Sequence, residues 1–383
     1  MQAGQADRLW RTARLTILAC AVAAAAFLTF RHVQTEATLG AYRPDYTVFW
    51  TGARVAATAP QDLFNEGAMR AAQFPLTGGD RGPRPWVSPP SFLLWLTPFA
   101  HLPFWTSFLV WIGVGLAAFL AATWRLTRSV WATALAPILP SLAVSLLSGQ
   151  SSLVTGSLTL AAVTWLRTRP LLAGALLGLA ATIKPQVMVM APVALIAGRQ
   201  VRALAAAVAA GGLVGLASLA LGPRLWIDWA SSLRDFLALV DAMNLQAQAI
   251  TPRGLAAQLG LSPPFDLLLT GMGALIGAAL VWRTFRMRQD RVLQLAALTL
   301  GALLATPYAM PYEAAVAAPA CLLILMRAER APLLWIGAAA TLYVPGGFGP
   351  LALGAALLLH DLAGRSPTLE TPAPPMAVGA GQT

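Results

Sequence analysis

Most of the chain reads as blocks of apolar residues, separated by short breaks that carry arginine, proline or glycine. Many of these blocks approach the ~20 residues that cross a bilayer as a helix. In lipid the backbone has to satisfy its own hydrogen bonds, so helices are the natural form. The pattern predicts spans at 15–30, 91–102, 104–124, 130–147, 153–166, 171–197, 203–221, 265–282, 293–307, 314–326, 333–344 and 351–359. The expected architecture is an all-α polytopic transmembrane helical bundle, with 12 spans as the best count in a range of about 10–13.

Two long polar stretches, near 31–90 and 222–264, interrupt this pattern. The densest basic loop, "WRTFRMRQDR" at 282–291, should be cytoplasmic, together with the amino terminus and "RAER" at 327–330. Counting back places both long loops outside. It also places "WRLTR" (124–128) and "RTRP" (167–170) outside, against the positive-inside tendency; a re-entrant 91–102 and a break at Lys184–Pro185 would reconcile them. In the first loop, "DYTVFWTGARVAATA" (45–59) repeats Val48, Phe49, Val55 and Ala56 near helical spacing, as a helix along the membrane surface would. "LWIDWASSLRDFLALVDAMN" (225–244) predicts a second interfacial helix, with Trp226 and Trp229 at headgroup level. Residues 1–364 read as one membrane domain, and 365–383, rich in Pro, Ala and Gly, as a disordered tail.

Composition narrows the class. Only 11% of residues are charged, against about 25% in soluble domains. The net charge of +11 comes from arginines scattered among loops, which suits membrane boundaries and argues against a nucleic-acid partner. Arg8, Arg11 and Arg14 precede an apolar run like a signal peptide, but "FLTFRHVQ" offers no small-residue cleavage pattern, so an uncleaved first helix is expected. Cys20 and Cys321 both lie in apolar runs and read as packing residues.

Few residues are left to carry chemistry. His32, His101 and His360 stand singly at span ends, so no metal site is expected. Asp228, Asp235 and Asp241 follow a solvated helix face. Asp45 opens the first amphipathic segment; it is either a helix cap or a general base on the outer side. Lys184, the only lysine in the chain, sits inside the apolar run "GLAATIKPQVMVMAPVALI" and precedes Pro185. A charge near the bilayer centre costs about 2.5–3.5 kcal/mol on insertion scales, so it should face a protein interior or wet cavity and meet an anion. Gln150, in "GQSS", is either part of a polar turn or an amide donor at a cavity floor. Tyr308, Tyr312 and Glu313, in "ATPYAMPYEAA", would either line a sugar site or anchor the membrane interface.

Taken in order, several motifs resemble glycosyltransferase family 87, membrane enzymes of the GT-C fold that use polyprenyl-phosphate sugars. These are "DYTVFWTGARVA", "APQDLFN", "SPPSFLLWLTPFAHLP", "SGQSSLV", "LAGALLGLAATIKPQ" and "ATPYAMPYEAA", spread over 14–315. The resemblance implies Asp45 as catalytic base and Lys184 and Gln150 as contacts to the lipid-linked phosphate, with Arg54 or Arg253 as a further cation. Tyr308, Tyr312 and Glu313 fall in the late motif, and Tyr312 and Glu313 stand where some members carry His. It further implies inverting transfer of a hexose or pentose, mannose-like by preference, from a polyprenyl-phosphate donor to an envelope lipid or glycan, with no separate cofactor. The setting implied is a bacterial plasma membrane, with the site facing the periplasm or cell exterior. Competing readings are a transporter or flippase for lipid-linked sugars and a non-catalytic subunit of envelope glycan assembly. Broken helices and intramembrane charge suit transporters as well.

Overall fold

A computed structural model describes residues 3–327 apart from 39–41, 43, 80–81, 83 and 288–289. The expected spans at 333–344 and 351–359 and the tail at 365–383 lie outside the described residues. Among the described residues the regular elements are all helical. A long α1 (Ala3–Thr38) leads into the first loop, which folds as α2 (Tyr46–Thr58) and α3 (Glu66–Thr77). Next come α4 (Pro90–Ala100), α5 (Phe104–Thr127), α6 (Val130–Leu135), α7 (Pro140–Ser148), α8 (Ser152–Trp165) and α9 (Pro170–Ile183). They are followed by α10 (Ala191–Ala197), α11 (Val201–Ser218), α12 (Arg224–Ala242), α13 (Pro252–Gln258), α14 (Pro263–Met287), α15 (Arg291–Ala305) and α16 (Ala318–Arg327).

Four of the described helices are long and apolar enough to cross a membrane: Arg11–Thr35 of α1, α5, Val201–Leu221 and Pro264–Met287. A fifth appears if α6 and α7, bent by 58° about Leu139, form one span. The chain is thus a helical membrane protein. The other apolar runs within the described residues form shorter helices, of which Pro90–Ala100, Ser152–Trp165 and Arg291–Ala305 fall within about two residues of the expected 91–102, 153–166 and 293–307. The cause is local. Proline opens α4, α7 and α9, where its missing N–H costs nothing, and Pro185 ends the run that began in α9. The expected span 171–197 is therefore α9, a 3₁₀ turn at Pro185–Met188, and α10.

Two apolar cores hold these pieces. One joins α5 to α9 with α14, α15 and α16. The other is aromatic: Tyr46, Phe49, Trp86, Phe92, Phe104, Phe108 and Trp111 pack α2 against α4 and the start of α5. The outer face of α11, with Val208, Leu213 and Leu216 exposed, is left for lipid. Its inner face meets α9 at close range, because Gly174 and Gly178 lie four residues apart on one side of α9. A Cβ on Gly178 would stand 2.2 Å from the carbonyl oxygen of Ala207, and one on Gly174 would stand 1.9 Å from that of Ala203.

Those contacts are to backbone, which cannot swing aside. Overpacking a core costs about 1–3 kcal/mol even when side chains can move. Gly178→Leu should therefore cost more than that range, and the variant should show a lower unfolding temperature and less monodisperse protein in detergent than the parent.

Candidate functional site

Asp45 immediately precedes α2, the position of a helix cap, but its carboxylate makes no capping bond. Instead Oδ2 accepts a 2.8 Å hydrogen bond from Nε2 of Gln150. The helix that carries Asp45 is fixed by its neighbour. Tyr46 is fully buried in the aromatic core, and its hydroxyl lies 2.7 Å from Oγ of Ser107. Since Ser107 donates to the carbonyl of Phe99, Tyr46 donates to Ser107. Gly52, on the same helix, brings the backbone so close to the Trp86 ring that a Cβ would stand 2.3 Å from it.

Gln150 is set by the turn that ends α7. Gly149 takes the left-handed conformation at φ 66°, which a side chain rarely adopts, and a Cβ there would also strike Phe108 and Tyr46. The N–H of Gln150 reaches back to the carbonyl of Ser145 and that of Gly149 to the carbonyl of Leu146, the paired bonds of a Schellman stop. The predicted polar turn is therefore present, and the amide it presents points to the carboxylate of Asp45.

Lys184 sits in the break between α9 and the 3₁₀ turn, extended as the residue before a proline should be. It is only 7% exposed. Its ammonium donates to Oε1 of Gln150 at 3.2 Å and to Oε1 of Glu313 at 2.5 Å, and lies 4.9 Å from the centre of the Tyr312 ring. Glu313, 5% exposed, belongs to a 3₁₀ turn at Pro311–Val316, and its Oε2 accepts from Ser152 at the start of α8. The anion that the buried lysine required is thus Glu313, and a continuous hydrogen-bonded line runs Asp45, Gln150, Lys184, Glu313, Ser152.

This line borders a cavity of about 490 Å³. Asp45, Gln150, Lys184, Tyr308, Tyr312 and Glu313 all face it. Arg54 does not; its guanidinium bonds to the carbonyl of Ala100 and stacks over Trp50. Arg253 is likewise elsewhere, paired with Asp241 and Asp266. Two parts of the wall were not assigned to the site from the sequence, although a helix at 225–244 with Trp229 was expected at the membrane interface. Arg84 contributes the remaining cation, and α12 contributes Trp229, Leu233, Phe236 and Leu237. Those four follow helical spacing and so share one stripe of α12, the helix expected at 225–244. Trp229 donates to the carbonyl of Val87 and Phe236 meets Tyr308 edge-on, so α12 is pinned across the opening on both sides. Among the described residues no three His, Cys, Asp or Glu side chains gather into a metal-binding group.

The arrangement offers a carboxylate, an arginine and aromatic walls around a space of sugar size. A model of glycosyltransferase family 87 matches residues 86–311, more than half of the chain. The chain belongs to glycosyltransferase family 87. No curated protein and no solved structure matches it. The matched stretch of this glycosyltransferase carries Gln150, Lys184, Tyr308 and the α12 face, while Asp45 lies before it and Tyr312 and Glu313 just after.

Burial, with the nearby charges of Asp45 and Glu313 adding to it, pushes the Tyr308 phenol up to about 12 and Tyr312 well above the ordinary phenol value. A raised acid keeps its proton, so both stay neutral donors throughout the range in which an ordinary phenol, near pH 10, would begin to ionise. Tyr308→Phe should leave any alkaline limb of the pH–rate profile below about pH 10 where it was. A limb that moves with this substitution would show that the phenol ionises in the working enzyme.

Proposed function

We propose that this glycosyltransferase moves a hexose or pentose from a polyprenyl-phosphate donor to a hydroxyl of an envelope lipid or glycan, at the outer face of a bacterial plasma membrane, in one inverting step. Asp45 takes the proton from the acceptor hydroxyl. The freed oxygen lone pair forms the new bond to the anomeric carbon, and the bond from that carbon to the phosphate oxygen breaks, its electron pair leaving with the lipid phosphate. Catalysis of this kind needs positive charge where the leaving phosphate gathers it. Arg84, a cation in the cavity wall, is the group assigned to that task. Tyr308, Tyr312 and Phe236 supply the ring-sized walls, and the apolar stripe of α12 suits the first isoprene units.

The observation that carries this assignment is the carboxylate of Asp45. It stands at a helix start without capping it, faces the cavity, and is bonded through one oxygen only among the described residues. Its other oxygen, Oδ1, is the one assigned to receive the proton.

With membranes or purified protein supplied in turn with polyprenyl-phosphate mannose, glucose and arabinose, Asp45→Asn should lower the transfer rate by about 10²–10⁴-fold, the usual contribution of a general base. Full activity in that variant would remove Asp45 from the role. Arg84→Gln should act differently. Hydrogen bonds to charged groups contribute about 1.5–3 kcal/mol, so the donor KM should rise by about tenfold or more while the variant stays folded. An unchanged donor KM would place the phosphate elsewhere.

A further inference from the structure

We infer that Lys184 and Glu313 serve this reaction as positioning residues, which lock the side-chain amide of Gln150 so that it presents N–H to the base Asp45. This inference rests on Asp45 being the base and assigns Lys184 a role other than contact with the donor phosphate.

The orientation follows from what each group can donate and accept. An ammonium has three donors and no acceptor, a carboxylate only acceptors, and a carboxamide has one end of each kind. Lys184 Nζ stands 3.2 Å from Oε1 of Gln150, and Asp45 Oδ2 stands 2.8 Å from Nε2. Turning the amide over would set N–H against the ammonium and oxygen against the carboxylate, so that both bonds would become repulsive contacts. The amide is therefore locked by the charge at each end. Glu313 holds the lysine in place, with Ser152 on its second oxygen and the face of Tyr312 beside the ammonium. The backbone gives the amide little freedom to find another answer, since the Schellman stop at Gly149 fixes where Gln150 begins.

The consequence is directional. With Oδ2 of Asp45 held by Gln150, the carboxylate cannot turn freely about its last bond, and Oδ1 keeps a fixed aim. Loss of the lysine charge frees the amide to rotate, and the base loses its aim without any change in the groups that hold the donor.

The experiment uses the purified full-length protein with the polyprenyl-phosphate sugar that supports turnover in the Asp45 comparison. Removing Lys184 alone would strand a buried carboxylate, so the test variant is the neutral double substitution Lys184→Met with Glu313→Gln, its folding confirmed by thermal unfolding in detergent. It is made in the parent and in a Gln150→Leu background. The expected result is a fall in kcat of about tenfold or more with the donor KM within about twofold in the parent, and no further fall in the Gln150→Leu background, since groups that act through one another are not additive. Lys184→Arg with Glu313 retained should recover most of the lost kcat. A rise in donor KM at unchanged kcat, or equal losses in the two backgrounds, would overturn the inference while leaving Asp45 as base. Parental activity in Asp45→Asn would overturn both.

Discussion

A lysine buried in a membrane protein has to be matched by an anion on the spot, and that requirement organises the centre of this molecule. Bringing an ammonium and a carboxylate out of water costs several kcal/mol per ion, which only close geometry and further hydrogen bonds can offset. Lys184 and Glu313 meet both conditions: their 2.5 Å contact is supplemented by Gln150 on one side and Ser152 on the other. Three stretches far apart in the chain are thereby tied together: the turn after α7, the break after α9 and the turn before α16. None of them is a regular helix at the point of contact. Helix ends, with their spare backbone groups, are where a membrane protein can turn polar side chains inward.

The breaks have separate local causes. Gly149 ends α7 because it can take a positive φ, Pro185 ends α9 because it has no N–H to give, and Pro311 opens the turn that carries Glu313. Between them they convert apolar runs into a wall with backbone bends at cavity depth. Such bends survive in a membrane only when buried in protein or lining a cavity. The aromatic core around Tyr46 then places α2, and with it Asp45, against the open side of that wall.

Much of this was legible from the residues, and what was not had physical reasons. A single lysine in an oily run announced that an anion was needed, but no local spacing could name Glu313, 129 residues away. Asp45 was ambiguous between cap and base. The absence of a capping bond argues against the first, and that absence and the contact to Gln150 both depend on tertiary placement. Arg54 shows the limit of proximity in sequence. Nine residues after Asp45 is about two and a half helical turns, so Arg54 emerges on the opposite side of α2, over Trp50. Arg84 lay hidden in a stretch of proline and glycine that carries no periodicity to read. The cut runs are hard to read for a related reason, because hydropathy records an apolar run whether or not proline has cut it.

The insertion of a neutral amide between lysine and base has a chemical logic of its own. If Lys184 were bonded directly to Asp45, the carboxylate would serve as the counter-ion of a buried cation, and its lone pairs would be held by the lysine rather than offered to a substrate. With Glu313 as the counter-ion, Asp45 is spared that duty. Gln150 then passes on direction without passing on charge, since an amide can accept from a cation and donate to an anion at once. Arg84, in the same cavity wall, is the cation assigned to the incoming phosphate. A site that must hold a carboxylate and a cation on the wall of one cavity, in a low-dielectric interior where opposite charges attract strongly, needs some means of keeping them from collapsing onto each other. Here that means is one glutamine, held at both ends.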